Sequence, residues 1–387
     1  MLDGLSRLPL LRRGFAWGIL FAVLLGLLGF GAAMAANERP NTLDLRISAL
    51  PSSVLMAQPA TALVDRERQN AALRRAHWTI IGLVLTSLFE AGALFWLWNS
   101  GNAAALRDAL RRRFRSETTV RFLFGAALAL VARFAAFIPL FYLYRVDRTL
   151  DLTFELTRWW LLFWVLHTML AMVIAGLIAA AVLWLASRTH QWYVYTIIGI
   201  LAASVAWAYL AQYVNTGPSQ LVRVPNGTRL RVSDRRLAGS TPAEAQYIAA
   251  YDLGHIVHGD RVSVALIEGG VIIVFAALAV VIADRIRFRR DDDPLSRLTL
   301  VAALLALVYL AAVPVRNAAL RSYDFSADQY AIALTRNPAA AVRSLVRTDD
   351  QHMEEVCPEW TATLYLYTAP GTGARVAAIN RVPSGCP

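Results

Sequence analysis

Tyr251, Asp252 and His255 fall within five residues, Tyr251-Asp252-Leu253-Gly254-His255, at a spacing that helical metal chemistry uses. On a helix, positions i and i+4 share a face about 5–6 Å apart at Cβ, so two side chains there can grip one metal ion. A carboxylate beside the first ligand can then activate a bound water, which is how His-Glu-x-x-His works with zinc. Here His255 fills the second ligand position, Tyr251 the first, and Asp252 the place of the base. An unperturbed phenol titrates near ~10, so a phenolate is costly at neutral pH and Tyr251 replaces an imidazole poorly. Asp252 is one methylene shorter than Glu, and a misplacement of about 1 Å can slow a reaction about 100-fold. A lone His on such a helix is otherwise a hydrogen-bonded packing residue.

A second group lies downstream. Asn317 to Leu334 holds no Gly or Pro and stops before Asn337-Pro338, so it is expected to be a helix carrying Asn317, Arg321, Asp324 and Asp328 on one face. Without a metal, Asp324 and Asp328 can pair with Arg321 or with His255 and clasp two helices together.

The elements that must position these residues are legible in outline. Thr241-Pro242-Ala243-Glu244 combines an N-cap residue, Pro at the first helical position and Glu three residues after the cap, so a helix is expected to start there and continue past His255 and Asp260 into the sixth span. Before it, Pro225-Asn226-Gly227 marks a turn and Leu230-Arg231-Val232-Ser233 alternates like one short strand. Asn37 to Ala76 is expected to be a loop with some helix, starting at Asp65-Arg66-Glu67-Arg68.

At 57% hydrophobic over 387 residues, the chain is too apolar for an ordinary soluble enzyme. Its apolar blocks run from about Gly14 to Ala36, His77 to Trp98, Val120 to Tyr144, Trp159 to Leu185, Trp192 to Val214, Ser263 to Ala283 and Leu298 to Val315. Each approaches the ~20 residues needed to cross a bilayer. The expectation is an all-α polytopic membrane protein of about seven transmembrane helices with a small, mostly helical extramembrane cap. Its organisation is 1–36 signal anchor or first span, 37–76 loop, 77–214 spans two to five, 215–262 strand and motif helix, 263–315 spans six and seven, and 316–387 Asp324 helix and tail. The link Ser187 to Gln191 is short enough to make the fourth and fifth spans antiparallel neighbours. Glu90 and Glu268 fall inside spans, where ionisable groups face the bundle interior.

The net charge of +11 rests on Arg alone, as the chain has no Lys. Arg111-Arg112-Arg113-Phe114-Arg115 and Arg285, Arg287, Arg289 and Arg290 lie between apolar blocks, where they anchor cytoplasmic loops; the lipid bilayer, and no nucleic acid, is the partner this implies. Threaded with the N-terminus inside, both clusters share one side, and the cap lies on the other, extracytoplasmic side. Cys357 and Cys386 both lie in the tail, where a bridge and two free thiols remain open alternatives.

These residues together resemble the membrane-embedded CAAX prenyl protease and its bacterial relatives, the zinc metallopeptidase family that includes HtpX. The likeness rests on Tyr251-Asp252-Leu253-Gly254-His255-Ile256-Val257-His258-Gly259-Asp260 and on a family pattern Asn-x-x-Ser-Arg-x-x-Glu-x-x-Ala-Asp. That pattern is matched in spacing by Asn317, Leu320, Arg321, Asp324, Ala327 and Asp328, with Leu for Ser and Asp for Glu. The family's Tyr-Ser-His-Pro is met by Tyr367-Thr368-Ala369-Pro370, which lacks the His. Carried over by position, the resemblance puts Tyr251, His255 and Asp324 at metal-ligand positions and Asp252 at the general-base position, with Asp328, Arg321 and Asn317 in support. It implies a bacterial inner-membrane metallopeptidase homologue, with zinc as its cofactor, peptides or membrane proteins as its substrates, and a site in the cytoplasm or in a membrane chamber, against the extracytoplasmic cap that the Arg clusters favour. With these departures, the expected role is a non-cleaving scaffold or peptide-binding protein in which zinc is absent or of low occupancy. The alternatives are an active, divergent zinc endopeptidase and, from the intramembrane Glu residues, a transporter.

Overall fold

The computed structural model describes residues 46–150, 152–153, 156–214, 219–286 and 293–387. The first apolar block, Asn215 and the basic residues Arg287, Arg289 and Arg290 lie outside them. The protein is an all-α polytopic membrane protein. Among the described residues, six helices are long and apolar enough to cross a membrane: Arg66–Asn99, Glu117–Ala135, Thr157–Arg188, Trp192–Leu210, Asp260–Arg285 and Pro294–Thr335. Large apolar side chains such as Leu170, Ile178 and Val274 point outward from these helices, where lipid rather than protein is their solvent.

The block from Val120 to Tyr144 is two helices, not one. Glu117–Ala135 ends at Ala136, and Phe137–Thr149 begins there with Pro139 in its first turn, where a missing N–H is tolerated. The fourth and fifth spans are joined at Thr189, whose hydroxyl accepts from the Gln191 N–H at 3.1 Å. Glu268 pairs with Arg316 of the neighbouring helix, Nη2 to Oε1 at 2.6 Å.

The expected strand has a partner. Ser219–Arg223 (β1) pairs antiparallel with Arg229–Ser233 (β2), with Leu221 opposite Arg231, across a turn in which Gly227 takes φ 89°. Helix Pro242–Val257, the motif helix, starts where its caps indicate: Thr241 Oγ1 accepts from the Glu244 N–H at 3.4 Å. It stops at His258, and Gly259, at φ 70°, turns the chain into the separate helix Asp260–Arg285, so the motif does not run straight into the sixth span.

The seventh apolar block and the Asp324 helix form one element. Pro294–Thr335 is 42 residues long and is capped by Asp293, whose carboxylate accepts from the Leu295 N–H at 2.9 Å. Pro314 lies inside it; the proline removes one backbone donor, and the helix continues through Asn317 to Thr335. Gly254 of the motif helix rests on this long helix so closely that a Cβ there would lie 3.1 Å from Ala327 Cα. That backbone-to-backbone approach sets which side chains of the two helices face each other.

The cap closes with Pro338–His352, Trp360–Tyr365 and Thr372–Asn380. Its core joins Leu55, Val342, Val346, Val356 and Val376, so the segment after the first block is packed into the cap rather than merely linking two spans. Arg68 at the start of the first described span is ion-paired with Asp350, and its Nη2 donates to the Asp350 carbonyl at 2.8 Å. Cys357 and Cys386 form a disulfide, with Cα atoms 5.5 Å apart, which resolves the two readings of the cysteines.

Candidate functional site

The contact of Gly254 with Ala327 sets the motif helix against the long helix so that tyrosines of one meet aspartates of the other. The Tyr251 hydroxyl donates to Asp324 Oδ1. One turn away, the Tyr247 hydroxyl donates to Asp328 Oδ1 at 2.5 Å. Arg375, from Thr372–Asn380, grips Asp328 at both oxygens, Nε to Oδ2 at 2.8 Å and Nη2 to Oδ1 at 2.7 Å, with its guanidinium 5.2 Å from the centre of the Tyr251 ring.

His255 packs edge-on to Tyr251, with ring centres 4.7 Å apart. Its Nδ1 bonds Asp260 Oδ2 at 2.7 Å, and its Nε2 faces Asp324 Oδ1 at 4.0 Å. Tyr251, His255 and Asp324 are thus brought together. Asp252 is not: Arg236 Nη1 contacts both of its oxygens, at 2.8 and 2.9 Å. His258 packs its ring against Tyr330 at 5.9 Å.

The clasp expected between the two helices exists, but Arg321 is not its cation. Arg321 donates to the Thr363 carbonyl and, at 3.5 Å, to that of Tyr367, while Asn317 Nδ2 donates to the Leu364 carbonyl at 2.9 Å. Both side chains hold the tail against the long helix instead. The groups that sequence reasoning missed are Tyr247, Arg236 and Arg375, while Asp260 stood in the motif without a role. Tyr247 had a signal, since it precedes Tyr251 by one helical turn. Arg375 had none, because only tertiary folding brings it to Asp328.

Burial raises the Tyr251 phenol above the ordinary tyrosine range, and Asp324 adds to this against the pull of Arg375. Burial does the same to Tyr247, followed by Asp328. Both hydroxyls therefore act as neutral donors. A catalytic zinc site takes three protein ligands and keeps one position open. Here the His255 imidazole and the Asp324 carboxylate are two suitable donors, and the third position presents a protonated phenol whose hydrogen is directed at one of the other two. Among the described residues, no group of three His, Cys, Asp or Glu side chains converges as a metal site. The donor set does not fit a zinc ion.

The site is thus a helix with ligand-spaced residues, crossed by a second helix bearing carboxylates and set at the end of a polytopic bundle. Residues 224–382 match the model of peptidase family M48. The chain is also similar to "Protease HtpX" of Psychrobacter sp. (strain PRwf-1), at 29% identity over 114 residues, which cover 28% of this chain and 38% of that protein. The similarity thus spans well under half of that relative's length.

Proposed function

We propose that the chain is a metallopeptidase homologue of the bacterial inner membrane that binds peptides or membrane proteins at its cap without cleaving them. The observation that carries this reading is the Tyr251–Asp324 hydrogen bond: the candidate first ligand is a proton donor to the candidate third ligand. Asp252, at the base position, is tied to Arg236 as well. In this reading His255 and Asp324 keep a structural role, holding the motif helix to the long helix.

Elemental mass spectrometry on the detergent-purified protein tests this. Only trace zinc is expected, alike in the wild type, His255→Ala and Asp324→Ala. Zinc near one per chain in the wild type, lost in both variants, would overturn the reading in favour of an active endopeptidase.

The cap is proposed to be extracytoplasmic. The disulfide supports this, since such bonds persist in oxidising compartments. So does Arg111-Arg112-Arg113, which follows the far end of a span whose other end, at Arg68, docks on the cap. A C-terminal alkaline phosphatase fusion is expected to be active and a C-terminal fluorescent-protein fusion dark; the opposite pattern would place the cap in the cytoplasm.

A further inference from the structure

Beside the tyrosine–aspartate clasp, the cap holds a cavity of about 360 Å³, and Tyr251 lines it. Its wall is acidic in a chain of strongly basic balance: Asp349 from Pro338–His352, with Glu354 and Glu355 from the turn that follows. Asp349 is 6% exposed and Glu355 5% exposed. Each has a buried oxygen, Asp349 Oδ2 and Glu355 Oε1, with no hydrogen-bond partner. The other oxygen of Glu355 accepts from the Glu359 N–H at 3.2 Å, and Asp349 is hydrogen-bonded to Thr372, so each residue of this wall is short of one donor where buried carboxylate oxygens are ordinarily satisfied. The guanidinium groups that line the same cavity are neutralised elsewhere, Arg375 by Asp328 and Arg236 by Asp252. Burial raises both carboxyls above the usual range, against the smaller pulls of Thr372 and Arg375 on Asp349 and of the Glu359 N–H and His77 on Glu355.

The missing positive partner is better met by an organic cation than by a metal ion, because no three metal-type ligands converge among the described residues. A guanidinium or ammonium needs no fixed coordination shell and brings several N–H donors on an apolar stem. The volume suits one long side chain, and the stem would lie along Tyr367 and Tyr251.

We propose that this cavity receives the basic side chain, arginine or lysine, of a peptide bound at the cap, with Asp349 and Glu355 as its acceptors. The proposal rests on the peptide-binding reading above and names the kind of peptide that site selects.

The test uses full-length protein in nanodiscs and fluorescent peptides identical except at one position: arginine, citrulline, lysine or acetyl-lysine. The charged peptides are expected to bind at least about tenfold more tightly than their neutral isosteres, since hydrogen bonds to charged groups are the stronger ones. Asp349→Asn and Glu355→Gln should each shrink that ratio. Equal binding of all four peptides would sink the cation pocket and leave peptide binding standing. Binding of none would overturn both ideas. Cleavage with the charge preference retained would overturn only the non-cleaving reading. The comparison of peptides on the wild type decides the matter even where a variant fails to fold.

Discussion

Arg375→Ala is expected to destabilise the cap by about 3–5 kcal/mol, because it strips the cation from a buried ion pair and leaves Asp328 uncompensated. The Asp328 side chain is 4% exposed and that of Arg375 11%, so water cannot replace the lost partner without opening the helix crossing. The loss is local in origin but reaches further, as the same guanidinium lies over the Tyr251 ring. Arg375→Lys should recover only part of the stability, since an ammonium cannot make the two-point contact. Asp328→Asn with Arg375→Met should be milder than Arg375→Ala alone, because no charge is then left buried. Thermal unfolding in detergent, followed by intrinsic fluorescence, reads all three. A change of under ~1 kcal/mol for Arg375→Ala would mean that Asp328 finds another partner.

Converting Tyr251→His, Asp252→Glu, Asp324→Glu and Ala369→His together is expected to raise bound zinc from a trace to near one per chain. The first and third changes replace the hydrogen-bonded phenol–carboxylate pair by imidazole and a longer carboxylate, giving with His255 the three ligands of a catalytic site. Asp252→Glu extends the acid at the base position, although Arg236 still competes for it. Elemental analysis of the quadruple variant checks the result, and His255→Ala in that background should remove the metal again. If the quadruple variant stays empty, the spacing of the two helices, set by the contact of Gly254 with Ala327, is wrong for zinc, and the departure from the family runs deeper than four side chains.

Local rules carried the six described spans, though not the break at Ala136, together with the Thr241 cap and the helical placing of Tyr251, His255 and Asp324, because each depends on residues within a few turns. They failed where geometry is long-range. Arg321 stands three residues before Asp324, the spacing of a helical ion pair, yet it turns to the tail carbonyls of Thr363 and Tyr367, which no pattern along the chain announces. β1 was overlooked because Gln220-Leu221-Val222 is too short to alternate visibly, and only pairing with β2 stabilises it. The long helix was divided after Val315, where the apolar run gives way to Arg316 and Asn317, although the element continues unbroken to Thr335.

That uninterrupted helix makes depth and heading a single variable. Asp324 stands thirty residues beyond Pro294, about 45 Å along the axis, against a hydrocarbon core of about 30 Å. No loop lies between to absorb a length change. Each residue added upstream would lift Asp324 about 1.5 Å and swing it about 100° away from Tyr251. Indels in the last span are therefore geometrically equivalent to dismantling the clasp, and the height of Asp324 above the bilayer is a property of one rod.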